Sequence, residues 1–371
     1  MPITKNINFS YQEKTTQEST RSTSWTQQGR LIDHNYIKGG HEYVMIGWVN
    51  STSPGGNHGG TKFAFEDGAG DIVGSVHQRH DTNSSGQYVA HIGHFIAPSP
   101  SQNIGIYRKM IYDDGESEST DYGQCFLIDL SYKGASGELT SGVDYSFSSN
   151  ATTRSSITNG STIHSHTIPE AQAGSNLILA ISKVWDSHSS VLLDLAVDGT
   201  SIANGSRYVN SVHDMKSVPF AVTANSTSSS TVTLKNIDPQ NLDTNYSFIF
   251  TLKLDDAPSS FATGQFSTWT NYGSSGSWGT QVINGYNDDS FIIAMGRQTV
   301  TGSESGRMAA ISLKNNTTDE FLLFKNRPEG DFDPLYFPAT ANGVDVGQYE
   351  LAPIIGVGKI GLADEIEMVT L

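Results

Sequence analysis

Clustered carboxylates are the first groups in this chain whose types and spacing could do chemistry. Asp113, Asp114 and Glu116 fall in Asp113-Asp114-Gly115-Glu116-Ser117-Glu118, and Asp331 and Asp333 fall in Glu329-Gly330-Asp331-Phe332-Asp333. Carboxylate oxygens gathered around a glycine can wrap a hard cation, so both loops are candidate Ca2+ sites, although neither repeats EF-hand ligand spacing. The bland reading of each is a solvated acidic loop tip. Histidines offer a second chemistry, because neutral imidazoles ligate transition metals. In an extended segment His164-Ser165-His166 places both rings on one face, a candidate metal pair. His77, His80, His91 and His94 crowd the first third of the chain, but an i, i+3 pair on a strand points to opposite faces. Those four read as solvated or hydrogen-bonded side chains.

Other motifs fall away. Gly356-Val357-Gly358-Lys359-Ile360-Gly361 has the spacing of a dinucleotide fingerprint, yet the residues after Gly361 alternate as a strand where that chemistry needs a helix N-terminus. No HExxH, P-loop or GxSxG element occurs. Carboxylate pairs for glycoside hydrolysis depend on the fold for their separation, and the acids show no preferred pair. The chain therefore reads as a non-enzyme. Trp25, Trp48, Trp185, Trp269 and Trp278 lie in or beside polar stretches, and Trp269-Thr270-Asn271-Tyr272 precedes a Gly/Ser loop. Packing is the default role of tryptophan. Trp269 and Tyr272 are nonetheless the candidate glycan-stacking pair.

Composition bounds the partners. The net charge is −16, with 22 basic residues scattered along the length, which disfavours nucleic acid and anionic membranes. The single cysteine, Cys125, sits in Gln124-Cys125-Phe126-Leu127-Ile128 and reads as a buried strand residue. No apolar run approaches a membrane span, and no signal peptide is visible at the N-terminus, so the expectation is folding in a cytoplasm or a signal already removed.

The elements that must position these groups are strands. Aromatics reach 10%, charged residues only 16%, and β-branched or aromatic residues alternate with polar ones. Three landmarks recur in order. An apolar strand comes first: Tyr43 to Gly47, Asn176 to Ile181, Phe291 to Gly296. A run opening on Phe comes second, at Phe95, Phe220 and Phe337. A closing strand comes third: Phe126 to Leu130, Phe248 to Leu254, Ile366 to Val369. From the second landmark to the third the separations are 31, 28 and 29 residues. A further strand lies between the first two at Lys62 to Phe65, Val191 to Val197 and Met308 to Leu313. Within the strands, Phe248, Phe250, Leu252 and Leu254 face one way while Thr251 and Lys253 face the other, which predicts sheets with one wet face. Asp198-Gly199, Asn204-Gly205 and Asn342-Gly343 read as turns.

The chain is thus expected to be all-β, three tandem β-sandwich (jelly-roll-like) domains spanning 1–134, 135–256 and 257–371. Short linkers at Lys133 to Gly137 and Asp255 to Ser260 suit either a stiff rod or a fold-back around a pseudo-threefold axis.

Tandem β-sandwiches with Gly/Ser/Thr/Asn-rich loops and an acidic surface resemble bacteriophage virion structural proteins, both head decoration and fibre proteins. Trimeric phage spike tips also hold iron through a His-x-His pair from each chain, the pattern seen at His164 and His166. The resemblance covers the whole chain, rests on architecture and composition, and carries over no functional residue. It implies a module on the particle surface, assembled in the host cytoplasm as a homo-oligomer with other capsid or tail proteins. The alternatives are a carbohydrate-binding adhesin or receptor-binding fibre, with a surface glycan as partner, and a polysaccharide-degrading enzyme.

Overall fold

The computed structural model describes residues 9–14, 18–52, 58–66, 71–72, 76–79, 87–110, 118–131, 133–134, 137–185, 190–208 and 215–254. Beyond these it describes short strand segments between 279 and 370. The chain is all-β, as its alternation predicts. The first unit contributes β1 (Phe9–Lys14), β2 (Glu18–Thr20), β3 (Thr26–Ile32), β4 (Glu42–Thr52), β5 (His58–Phe65), β6 (Val76–Arg79), β7 (Gln87–Ile96), β8 (Ile104–Met110) and β9 (Glu118–Asp129). They form two antiparallel sheets, β1-β9-β4-β7 with β2 also on β9, and β3-β8-β5-β6. If β2 continues β1, this is the eight-stranded order of a jelly roll.

The second unit repeats the plan strand for strand. After a small ladder of β10 (Lys133–Gly134) and β11 (Gly137–Glu138) come β12 (Tyr145–Asn150), β13 (Arg154–Ile157), β14 (Thr162–Ile168) and β15 (Gly174–Trp185). Next along the chain are β16 (Ser190–Val197), β17 (Thr200–Tyr208), β18 (Lys216–Ser226), β19 (Ser230–Asn236) and β20 (Leu242–Leu254). Their sheets are β12-β20-β15-β18, with β13 on β20, and β14-β19-β16-β17. The sequence landmarks occupy equivalent strands in both units: the apolar run is β4 or β15, the Phe run belongs to β7 or β18, and the closing strand is β9 or β20.

Each unit has its own core, and a third apolar layer lies between the units. Phe63, Phe65, Ile104, Ile106, Met45 and Leu127 fill the first sandwich. Ile163, Ile178, Leu193, Leu195, Val232 and Ile249 fill the second. Val44, Ile46, Ile92 and Ile128 of the first unit meet Leu177, Leu179, Ile181, Phe248, Phe250 and Leu252 of the second in one continuous cluster. The order is therefore four sheets deep, outer, inner, inner, outer. The first two units are thus joined face to face; the placement of the third, on which a rod or a threefold arrangement turns, lies outside the described residues. Burying a Leu, Ile or Phe side chain in such a layer stabilises by roughly 1.5–3 kcal/mol.

This layer overturns the expectation of one wet face. On β20, Phe248, Phe250 and Leu252 do face one way, but Thr251 opposite is as fully buried as they are. β15 is enclosed almost throughout, from Asn176 to Val184. Its unbroken Leu177-Ile178-Leu179-Ala180-Ile181 run is the pattern of a strand covered on both faces. The Asp198-Gly199 turn holds: β16 and β17 close through it with φ of 50° and 81°, the left-handed pair of a type I′ hairpin. Asn204-Gly205 is not a turn. Those residues lie inside β17, opposite Asp194 and Leu193, because the hairpin has already closed at Asp198 and the ladder carries on past them.

In the region expected to form a third unit, Ile366–Thr370 pairs antiparallel with Gly279–Ile283 and with Ile311–Asn315. Three further two-stranded ladders join Ile292–Ala294 to Ile354–Gly356, Arg297–Thr299 to Gln348–Glu350, and Met308–Ala309 to Leu335–Tyr336.

Candidate functional site

His164 and His166 lie on β14 with both rings turned inward and Ser165 outward, as an extended His-x-His segment requires. What they meet is a set of hydroxyls. His164 Nδ1 lies 3.0 Å from Ser247 Oγ and its Nε2 lies 2.8 Å from Ser148 Oγ. Ser148 Oγ also lies 3.1 Å from His166 Nδ1, so one hydroxyl bridges the two rings. His166 Nε2 pairs with Ser146 Oγ at 2.9 Å, and Ser146 Oγ with Thr251 Oγ1 at 2.8 Å. Gln172 Nε2 donates to Thr251 Oγ1 at 2.9 Å and to Asn176 Oδ1 at 2.8 Å.

Burial pushes the His166 imidazole down to about 4, with His164 adding to the shift. His164 is also lowered by burial, against an opposing hydrogen bond at Ser148. Both rings are neutral at pH 7, each with one donor and one acceptor nitrogen, and hydroxyls can serve either. The network is a polar core in which both rings are fully engaged, while Gln172 Oε1 at its end has no hydrogen-bond partner among the described residues. No carboxylate among the described residues joins it and it lies between two sheets, so it lacks the orienting acid and open face of a nucleophilic triad. No group of three or more His, Cys, Asp or Glu side chains that could hold a metal occurs among the described residues. The other candidates, Asp113, Asp114, Glu116, Asp331, Asp333, Trp269 and Tyr272, lie outside the described residues.

His91 and His94 point to opposite faces of β7, as their spacing requires. His94 stacks on Phe147 of the second unit at 4.3 Å between centroids and pairs with Glu42 at 2.6 Å. Glu42 also accepts from the Tyr145 hydroxyl of the second unit at 3.1 Å. His91 departs from its expected role. It is fully buried against Phe63, and neither ring nitrogen has a hydrogen-bond partner among the described residues. Burial first, and the charge of Lys183 second, hold it well below the usual imidazole range. Lys183 reaches across from β15, its Nζ 4.9 Å from the Tyr246 ring, and the Tyr246 hydroxyl donates to Ile92 O. Cys125 is buried, as read from the sequence.

One exposed face carries groups suited to a ligand. On the outer sheet of the first unit, β8 buries Ile104 to Ile106, Arg108 and Met110 and leaves Tyr107 and Lys109 half-buried on the opposite face. Gln27, Tyr107 and Lys62 stand in one row across β3, β8 and β5. Trp25 precedes β3 beside Lys109, with the Lys109 Nζ 5.0 Å and the Lys62 Nζ 4.9 Å from its ring centroid. A methyl group on Gly105 would lie 3.1 Å from Tyr107 Cε2, so glycine lets that ring settle over the strand. Further along, Glu66 accepts from Gln27 Nε2 at 2.6 Å, from Asn103 Nδ2 at 2.8 Å, and from Arg30 Nε and Nη2 at 3.3 and 3.2 Å. Lys62 pairs with Asp71. Lys109 has no carboxylate partner among the described residues. A carboxylate as fully engaged as Glu66 is a positioning group and a poor proton shuttle. In the sequence Trp25 stands out as one of five tryptophans and, in Ser24-Trp25, as a counterpart of Ser277-Trp278. The alternation of Ile104 to Met110, which sends Tyr107 and Lys109 to one side, was the signal that could have found this face.

No family model matches the chain, and no curated protein matches it. Among solved structures, PNGF-II resembles it at 9% identity over 67% of this chain and 66% of that one, with a TM-score of 0.29. The STIV MCP resembles it at 10% identity over 66% of this chain and 97% of that one, with a TM-score of 0.22. A family 35 carbohydrate-binding module from Clostridium thermocellum resembles it at 7% identity over 28% of this chain and 90% of that one, with a TM-score of 0.20. At these scores none of the three bears on function.

Proposed function

We propose that this protein is a non-enzymatic structural module on the surface of a virus particle, a capsid decoration protein or part of a tail or fibre. The observation that carries this reading is the apolar layer joining two jelly rolls of identical strand order into a four-sheet block. Jelly rolls serve in viral capsids and in lectins. A block whose two inner sheets are sealed leaves its outer sheets and loops for contact with neighbours and medium. The described groups best suited to catalysis are engaged elsewhere, the histidine pair by hydroxyls and Glu66 by four donors. An acidic, hydroxyl-rich surface suits a protein held at high local density. Its partners are other virion proteins and further copies of itself, and its location is the virion, assembled in the host cytoplasm.

Antibodies raised against the purified chain test this on intact particles of the virus that encodes it. Regular labelling of the particle surface in electron microscopy is expected. Labelling confined to the soluble fraction, or turnover of a polysaccharide by the purified chain, would overturn the reading.

A further inference from the structure

We propose that the outer face of the first sandwich, around Trp25, Tyr107 and Lys109, binds an anionic saccharide. The inference stands independently of the particle location proposed above. Three observations converge on it. First, two half-buried aromatic rings, Trp25 and Tyr107, sit on the outer face of one sheet, and Gly105 lets the Tyr107 ring settle over the strand. A flat ring is what the apolar C–H face of a pyranose packs against, and amphipathic rings suit contacts that are apolar on one side and wet on the other.

Second, the polar groups along the same face are held in place before any ligand arrives. Glu66 fixes Gln27, Asn103 and Arg30 through hydrogen bonds of 2.6 to 3.3 Å. Asn103 Oδ1 in turn accepts from the His34 backbone N–H at 2.7 Å. Side chains fixed in this way lose little further freedom on binding, which favours recognition of a hydroxyl-rich ligand.

Third, charge on this face selects the sugar. The chain carries a net charge of −16, yet Arg30, Lys62 and Lys109 gather here. Arg30 is answered by Glu66 and Asp33, and Lys62 by Asp71. Lys109 stands 5.0 Å from the Trp25 ring centroid with no carboxylate to answer it among the described residues. An ammonium placed beside a stacking ring matches a sugar that bears a carboxylate or a sulfate. A neutral sugar would leave that charge answered only by the Trp25 ring. Lys109 is the anion-binding group, Trp25 and Tyr107 are the stacking platform, and Gln27 and Asn103 hold the polar edge.

Isothermal titration of the full chain tests the proposal with three probes: oligogalacturonate for carboxylate, a sulfated galactan oligosaccharide for sulfate, and a cello-oligosaccharide as the neutral control. Binding of at least one acidic probe is expected, weakening as salt rises. Whichever acidic probe binds identifies the anion, and binding of both means that charge alone is read. Lys109→Ala should weaken binding by about tenfold or more, while Lys109→Arg should stay within about threefold. Trp25→Ala should also lose about tenfold or more. Lys109 is a surface side chain, so its variants should keep the parent's thermal unfolding. That keeps the test valid even if Trp25→Ala fails to fold. No binding of either acidic probe, equal affinity for the neutral probe, or an unchanged affinity in Lys109→Ala would overturn the proposal.

Discussion

The two sandwiches share a strand order and differ in where they keep their polar groups. The second encloses His164, His166, Ser146, Ser148, Ser247, Thr251, Gln172 and Asn176 in one connected network between its sheets. The first packs Phe63 and Ile106 together with buried Arg108, Gln28, Thr61 and His91, and carries a further polar array on the outside, around Glu66 and Lys109. Strand order is thus indifferent to what fills the interior, provided alternation and turns are kept. An enclosed network whose rings are fully engaged favours one packing. An outward array is free to meet something else. On this account the second sandwich is a foundation and the first is the face presented.

The sharpest way to break the comparison is to attack the layer the two units share. Leu179→Asp would bury an unpaired charge where Leu179 is fully enclosed, and should cost more than about 4 kcal/mol. Urea denaturation should show both sandwiches lost together, whereas Thr231→Asp on the exposed face of β19 should change little.

The contrast between the histidines comes next. His166→Leu leaves the Ser146 hydroxyl without its ring partner and removes one of the two rings that Ser148 bridges, and should destabilise by roughly 2–4 kcal/mol. His91→Leu removes a ring with no hydrogen-bond partner among the described residues, so its effect should fall within about 1 kcal/mol of zero or be stabilising. Equal costs at the two positions would erase the distinction.

Acid should read the same network. The His166 pKa in the folded protein, about 4, lies below the ordinary value of 6.5, so the unfolded chain takes up its proton first as pH falls. The stability His166 contributes is full above pH 6.5 and is lost progressively down to about pH 4. The loss is on the order of 3 kcal/mol, from about 2.5 units at 1.36 kcal/mol each. His164 and His91, both also lowered, add in the same direction. Denaturation midpoints of His166→Gln measured from pH 7 to pH 4 should slope less steeply than those of the parent.

The smallest effect belongs to the hairpin. Gly199→Ala forces a side chain into a φ of 81° and should cost about 1 kcal/mol by thermal denaturation.

Much of this architecture could be read from the residues. The recurrence of Tyr43 to Gly47 as Asn176 to Ile181, and of Phe126 to Leu130 as Phe248 to Leu254, marked the same two central strands in each unit. Asp198-Gly199 announced a hairpin because only certain residues accept two successive positive φ angles. The shared layer was less accessible, because alternation says which residues face away from water and never says what covers them. The clue lay in β15, whose run from Leu177 to Ile181 has no polar break and so demands cover on both sides. The turn reading of Asn204-Gly205 failed for a related reason: local turn chemistry yields to a ladder already in register. At the histidine pair, spacing gave the correct common face. The serines that occupy the rings come from β12 and β20, distant in sequence, so the partners waited on the fold.

Native-state hydrogen exchange on the full chain tests the joined block most directly. Amides of β4 and β9 should exchange with the same free energy as those of β15 and β20, and all four strands should shift equally when Leu179→Ala weakens the layer. Opening of β4 and β9 at a distinctly lower free energy, with β15 and β20 still protected, would show two independent sandwiches and contradict the account.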